Sequence, residues 1–308
     1  MKIAVFGTGG VGGTFGARLA ERGHEVHFIA RGAHLAAMRA KGLRVEGVRG
    51  NLHLSPTRAT DDPATIGPVD LVLFCVKLWD TEATAPRCAP MIGADTAVLT
   101  LQNGVDAPEA LTRALGASHV MAGAAGIFAT IAEPGLIKQP APVQTVAFGE
   151  LDGTESVRGR AIEKAMNEAG IETRFTRETD VELWKKFVYL TGLSGMTCFT
   201  RGPIGPIRDD PKLLAMLRGA IAEAIAVGRA KGVRLAPDAL EERLGVAMRL
   251  APTMKASMLY DLERGNRLEL PWLSGAVVRM GRALGVPTPI QAQIVDALTP
   301  YAQGGKAT

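Results

Sequence analysis

The chain has only three cysteines in 308 residues, Cys75, Cys88 and Cys198. They are odd in number and far apart, without the paired spacing that holds zinc or forms a redox dithiol. No metal site is expected, and a reducing, cytoplasmic setting is. Excess charge of either sign is also small. The net charge is +4, and the basic residues are scattered rather than gathered into an arm, which argues against nucleic-acid binding and favours an anionic small molecule as partner. The longest apolar run, Val120 to Ala132, is Ala/Gly-rich and too short for a bilayer. The N-terminus opens on a strand-like run after a single Lys2, so neither a membrane span nor a signal peptide is expected. Aromatic residues make up 5% of the chain against 36 glycines, a balance that points to tight turns and close backbone approaches. With 47% hydrophobic and 21% charged residues the chain is neither disordered nor collagen-like, and its length suits two domains.

In the first half, short β-branched runs (residues 2–6, 25–30, 70–76 and 97–101) alternate with helical patterns, which predicts parallel strands with crossover helices. Two more extended runs, Leu136 to Gln139 and Gln144 to Gly149, read as added strands near a sheet edge. Beyond Thr179 the strand signal fades. Thr179 and Glu182 have capping-box spacing ahead of Leu183, Trp184 and Phe187, and Asp210-Pro211 reads as the start of a helix closing at Gly232. Further helices are predicted over Pro237 to Arg249, Thr253 to Arg264, Leu273 to Leu284 and from Thr288 onward, with a frayed tail from Gln303 to Thr308. The division expected is an α/β domain, 1–176, followed by a helical domain, 177–308, with a ligand in the cleft between them.

The first strand runs into Gly7-Thr8-Gly9-Gly10-Val11-Gly12, and a helical pattern follows to Gly23. This is the dinucleotide-binding arrangement in its required context: Gly7 for the tight turn, Gly9 for approach to a pyrophosphate, Gly12 for helix–strand packing. The competing reading is a glycine-rich loop of another α/β fold, a methyltransferase included. After the second strand stands Arg31, where an NAD site usually carries an acidic residue. A guanidinium there suits a 2′-phosphate and favours NADP(H), unless it is a solvated loop arginine. Lys77 follows the third run and Asn103-Gly104 the fourth, with a surface lysine and an ordinary turn as the plain alternatives. Lys186 lies among Leu183, Phe187 and Leu190 at helical spacing. Desolvation there would lower its pKa toward that of a general acid, with Lys185 expected to be solvated and a snorkelling structural lysine as the alternative.

In order and spacing these residues resemble the ketopantoate reductase family, over nearly the whole chain. Glu182-Leu183-Trp184-Lys185-Lys186 is similar to the family's catalytic-lysine segment, Ala256-Ser257-Met258 with Asp261 to its substrate-serine segment, and Glu269 to its acidic active-site residue. The resemblance implies a Rossmann-type dinucleotide-binding domain and an all-helical domain like that at the C-terminus of 6-phosphogluconate dehydrogenase. It also implies NADPH-dependent reduction of the 2-oxo acid 2-dehydropantoate to pantoate, in pantothenate biosynthesis. Lys186, Glu269 and Asn103 would be catalytic, and Ser257, Lys77 and Ser194 would bind substrate. Gly7, Thr8, Gly9, Gly10, Val11, Gly12 and Arg31 would bind cofactor, together with Lys77, Asn103 and Glu269.

The departures concern the substrate. Where the family tends to carry asparagines one and two turns after the lysine, this chain has Leu190 and Ser194; three residues before Ser257 it has Met254. Leu270-Pro271-Trp272-Leu273-Ser274-Gly275 replaces a segment that often shows Asp and Asn before the glycine. Each lost polar partner is worth about 1–3 kcal/mol, enough to shift substrate preference. A reductase of a more apolar carbonyl compound is therefore a competing reading. A non-catalytic NADPH-binding sensor is another, although Lys186 and Glu269 are present. A 6-phosphogluconate or 3-hydroxyacid dehydrogenase should show Asn or Asp where Leu190 stands. Met248, Leu250, Met254 and Met258 belong to the core or to a homodimer interface.

Overall fold

A computed structural model describes residues 1–305, and the contacts divide them into two compact units. The first comprises Met1–Gln102 and Asp106–Glu182, the second Asn103–Val105 and the chain from Leu183 onward. The first unit is built on β1 (Lys2–Phe6), β2 (Glu25–Ile29), β3 (Leu43–Gly47), β4 (Leu52–Leu54), β5 (Ala59–Thr60), β6 (Leu71–Phe74), β7 (Ala97–Thr100), β8 (Val120–Ile127), β9 (Thr130–Glu133), β10 (Leu136–Gln139), β11 (Gln144–Glu150) and β12 (Glu172–Phe175). Its helices are α1 (Gly10–Glu21), α2 (Gly32–Lys41), α3 (Thr81–Thr84), α4 (Ala107–Leu115) and α5 (Val157–Glu168), followed by the first residues of α6 (Thr179–Thr200).

Eight strands form the main sheet in the order β12-β11-β8-β7-β6-β1-β2-β5. Neighbours are parallel except β8 and β11. β1 shows why the sheet is covered on both faces: Ile3 and Val5 pack into one apolar cluster with Phe15 and Phe28, Ala4 and Phe6 into another with Phe74 and Leu111. The predicted strands at 2–6, 25–30, 70–76 and 97–101 are all present. The gap after β2 holds more than a helix, because Leu43 and Val45 are buried and β3 pairs with β4 and β10 in a second sheet, ordered β4-β3-β10-β9. β10 is therefore internal to that small sheet, and β11 lies one strand in from the edge of the large one.

The second unit is helical: most of α6, then α7 (Ile204–Asp209), α8 (Pro211–Ala230), α9 (Ala239–Arg249), α10 (Ser257–Glu263), α11 (Ser274–Leu284) and α12 (Pro289–Leu298). Asp210 caps α8 as expected, its carboxylate accepting from the Lys212 and Leu213 N–H groups. The capping box at Thr179 does not form. The Thr179 hydroxyl donates to the carbonyls of Glu150 and Thr176, and the Glu182 N–H bonds the Glu178 carbonyl instead. α10 starts later than predicted because the backbone before it serves α7: Gly205 N–H bonds Pro252 O at 2.9 Å and Ile204 N–H bonds Met254 O at 3.0 Å. Of the methionine group, Met258 is core while Met248 is exposed. The tail expected to fray is hydrogen-bonded as far as described, with Gly305 N–H on Gly265 O at 3.0 Å; residues 306–308 lie outside the described residues. Among the described residues no helix is long and apolar enough to cross a membrane, and no cluster of three His, Cys, Asp or Glu is placed to hold a metal.

The cysteines are free thiols. Burial pushes Cys88 up to about 12 and raises Cys198 as well, the latter helped by Asp261 and Glu263. Alkylation of the native protein at about pH 8 should therefore spare both and reach them only after unfolding, as peptide mass spectrometry would show.

Candidate active site

In the first unit, β1 delivers the chain to Gly7 at φ +102, a left-handed conformation that disfavours any side chain. A Cβ there would also lie 2.7 Å from the backbone of Cys75 and Val76, just beyond β6. The Ile29 carbonyl at the end of β2 receives three donors: Gly7 N–H, Thr8 N–H and the Thr8 hydroxyl, at 3.3, 3.2 and 3.0 Å. Thr8, expected to touch cofactor, thus commits both of these donors to the fold. Gly9 is the N-cap of α1 in extended conformation, without a side-chain cap or an acidic residue in the first turn, and a Cβ on it would meet nothing within 4 Å. This leaves the N–H groups of Gly10, Val11 and Gly12 as the helix's first-turn donors, the arrangement that receives a pyrophosphate. Gly12 is needed for packing, since its Cβ would lie 2.5 Å from Gly7 O and 2.9 Å from Val5. Gly10 has a different reason, with the Ala129 carbonyl where its Cβ would be.

Arg31 and Lys77 follow β2 and β6, the two neighbours of β1. The Arg31 side chain is 80% exposed and its guanidinium donates to the Asp80 carboxylate at 2.7 Å, a partner the sequence reading did not single out. Lys77 is exposed, with its ammonium 5.4 Å from the centre of the Trp79 ring. Gln102 fixes this segment, donating to Val76 O at 2.9 Å and to the Thr81 hydroxyl at 2.8 Å. His34, on α2, accepts from Gly135 N–H at 3.0 Å through Nδ1. Burial holds its pKa below the ordinary imidazole value, and a hydrogen bond with the Thr8 backbone acts the other way.

In the second unit, Asn103 and Glu269 come together although 166 positions apart: the Asn103 amide donates to the Glu269 carboxylate at 3.3 Å. Glu269 is only 7% exposed, and its own carbonyl accepts from Trp272 and Leu273 N–H. Lys186 is half-buried on α6, as expected, but so is Lys185, which was expected to be solvated; α6 seats Trp184 and Phe187 in the core, with rings 5.2 Å apart edge to face, and so draws in both lysines. Leu190, Met254 and Trp272 are also half-buried, while Ser257 is exposed at the first residue of α10. Ser194 is fully buried, and its hydroxyl has no hydrogen-bond partner among the described residues. Ser274 shares this state, and a Cβ on Gly195 would lie 3.1 Å from its Oγ. Asp80, Ser274 and the partnering of Gln102 were missed; for Asp80 the only signal was a carboxylate three residues past Lys77.

A mostly parallel sheet with an open glycine-rich helix start, followed by a helical unit holding a part-buried amide–carboxylate pair, is the arrangement of a dinucleotide-dependent oxidoreductase. The family model "Ketopantoate reductase PanE/ApbA" matches residues 3–153, and "Ketopantoate reductase PanE/ApbA C terminal" matches 179–302. The chain belongs to the ketopantoate reductase family, whose members are oxidoreductases acting on CH–OH groups. It is 30% identical to 2-dehydropantoate 2-reductase of Mesorhizobium japonicum over 94% of each chain. The crystal structure of a ketopantoate reductase from Ralstonia eutropha superposes with TM-score 0.90 at 30% identity, covering 98% of both chains. A D-mandelate dehydrogenase structure reaches TM-score 0.90 at 18% identity over 98% of both chains, a likeness of fold.

Gly9→Ala should fold normally and lose dinucleotide binding, whereas Gly10→Ala should lower stability by about 1–3 kcal/mol, because a backbone carbonyl must move. Chemical denaturation and cofactor titration of the two variants separate these effects. His34 adds a pH dependence. Its lowered folded pKa means that no stability difference arises while both states are neutral, and that stability is lost as pH falls through and below the unfolded value of 6.5. The unfolding midpoint of wild type should fall more than that of His34→Asn over this window.

Proposed function

We propose that this protein is an NADPH-dependent reductase of a 2-oxo acid, with 2-dehydropantoate as the first candidate substrate. The observation that carries the reading is the Asn103–Glu269 hydrogen bond, which joins two residues the family resemblance assigns to the reaction. NADPH, when bound, supplies a hydride to the substrate carbonyl carbon. The glycine-rich start of α1 holds its pyrophosphate through the Gly10, Val11 and Gly12 N–H groups, and Arg31 takes the 2′-phosphate. Lys186 donates a proton from Nζ to the oxygen that becomes alkoxide; a cation at that point stabilises the transition state more than the neutral carbonyl. Asn103, held by Glu269, orients the reacting groups. Glu269 accepts from a substrate hydroxyl or positions the Lys186 ammonium, and Ser257 with Lys77 binds the carboxylate.

Half-buried Leu190, Met254 and Trp272 support a second reading, a 2-oxo acid with a more apolar side chain than ketopantoate. A substrate panel decides between them: turnover of 2-dehydropantoate supports the first, and turnover confined to bulkier apolar acids supports the second. Cofactor binding without any carbonyl-dependent oxidation would overturn both and leave a sensor. Lys186→Ala should lower kcat by about 10²- to 10⁴-fold with NADPH affinity nearly unchanged. An equal fall in Lys185→Ala would count against Lys186 as the acid.

A further inference from the structure

Arg31, proposed to take the 2′-phosphate, is already ion-paired with Asp80. Arg31 follows β2 and Asp80 lies six residues past β6, and β1 runs between those two strands. Two strand spacings, roughly 10 Å, separate the strands from which they extend. The ion pair at 2.7 Å therefore reaches over the end of β1, where the glycine turn begins. Asp80 precedes α3 at its N-cap position, yet its carboxylate makes no side-chain cap bond there; it is turned to the guanidinium instead. Gln102 anchors this segment through Val76 and Thr81, so the carboxylate is carried on a held loop. With side chains 80% and 24% exposed, the pair is open to water and a ligand dianion can displace it.

We infer that Asp80 is a specificity-determining residue that opposes the 2′-phosphate, competing for Arg31 and setting a modest rather than absolute preference for NADPH over NADH. The inference rests on the cofactor reading proposed above. A 2′-phosphate bound to Arg31 brings close to two negative charges beside a carboxylate already occupying that guanidinium. A ribose hydroxyl meets no such penalty, and it donates to the same carboxylate much as it does to the acidic residue of an NAD site. Arg31 thus selects for the phosphate and Asp80 selects against it.

Calorimetric titration with 2′,5′-ADP and 5′-AMP tests this without turnover. Asp80→Asn should bind 2′,5′-ADP on the order of three- to tenfold more tightly than wild type does, and 5′-AMP no more tightly, since the effect is that of one exposed, screened charge. Arg31→Ala should lose most of the preference for 2′,5′-ADP, and Asp80→Ala should repeat the gain of Asp80→Asn. An unchanged affinity for 2′,5′-ADP in both Asp80 variants, or equal gains for the two nucleotides, would overturn the inference alone. Absence of binding of either nucleotide to wild type would overturn the cofactor reading and this inference with it.

Discussion

The dinucleotide half depends on one close approach of backbone to backbone. The turn after β1 passes so near the chain beyond β6 that Gly7 has no room for a side chain and must also take a positive φ, and α1 starts so close to that turn and to β1 that Gly12 has none either. Packing the turn this tightly aims the first N–H groups of α1 outward from the C-terminal ends of the strands. It also requires an anchor, and the Ile29 carbonyl supplies it by accepting three donors from Gly7 and Thr8. Because β1 has β2 and β6 as its neighbours, whatever follows those strands flanks the turn. Arg31 and the Lys77–Asp80 segment occupy that position.

The helical unit uses a different means of placing polar atoms. Its helices bury aliphatic and aromatic faces, as with Trp184 against Gly228, where a Cβ would lie 2.6 Å from the indole. The few polar groups inside that packing are correspondingly costly unless they are paired or take part in binding. Glu269 meets the requirement through Asn103, whereas the Ser194 and Ser274 hydroxyls find no protein partner among the described residues.

Legibility along the chain followed how local each cause was. The four core strands, the glycine turn and the Asp210 cap were readable because each rests on residues adjacent in sequence. The second sheet was not: Leu136 to Gln139 read as an extended run, but nothing local marked β3 as its partner about ninety residues away, and it is in that sheet that Leu43, Val45 and Ile137 are buried. Thr179 misled for a related reason: its hydroxyl found the carbonyls of Glu150 and Thr176, contacts that a capping motif cannot foresee.

The sequence alone determined the α/β-then-helical order and the glycine turn, and it supplied the polar residues proposed for proton transfer and anion binding, because periodicity, glycine placement and side-chain chemistry are properties of short segments. Tertiary structure decided which of those residues have partners. It joined Asn103 to Glu269, drew Lys185 into the packing along with Lys186, spent Thr8 on the Ile29 carbonyl and set Asp80 against Arg31. Each of those outcomes depends on which strands and helices lie side by side, and strand order and helix packing arise only when the whole chain buries its apolar surface at once.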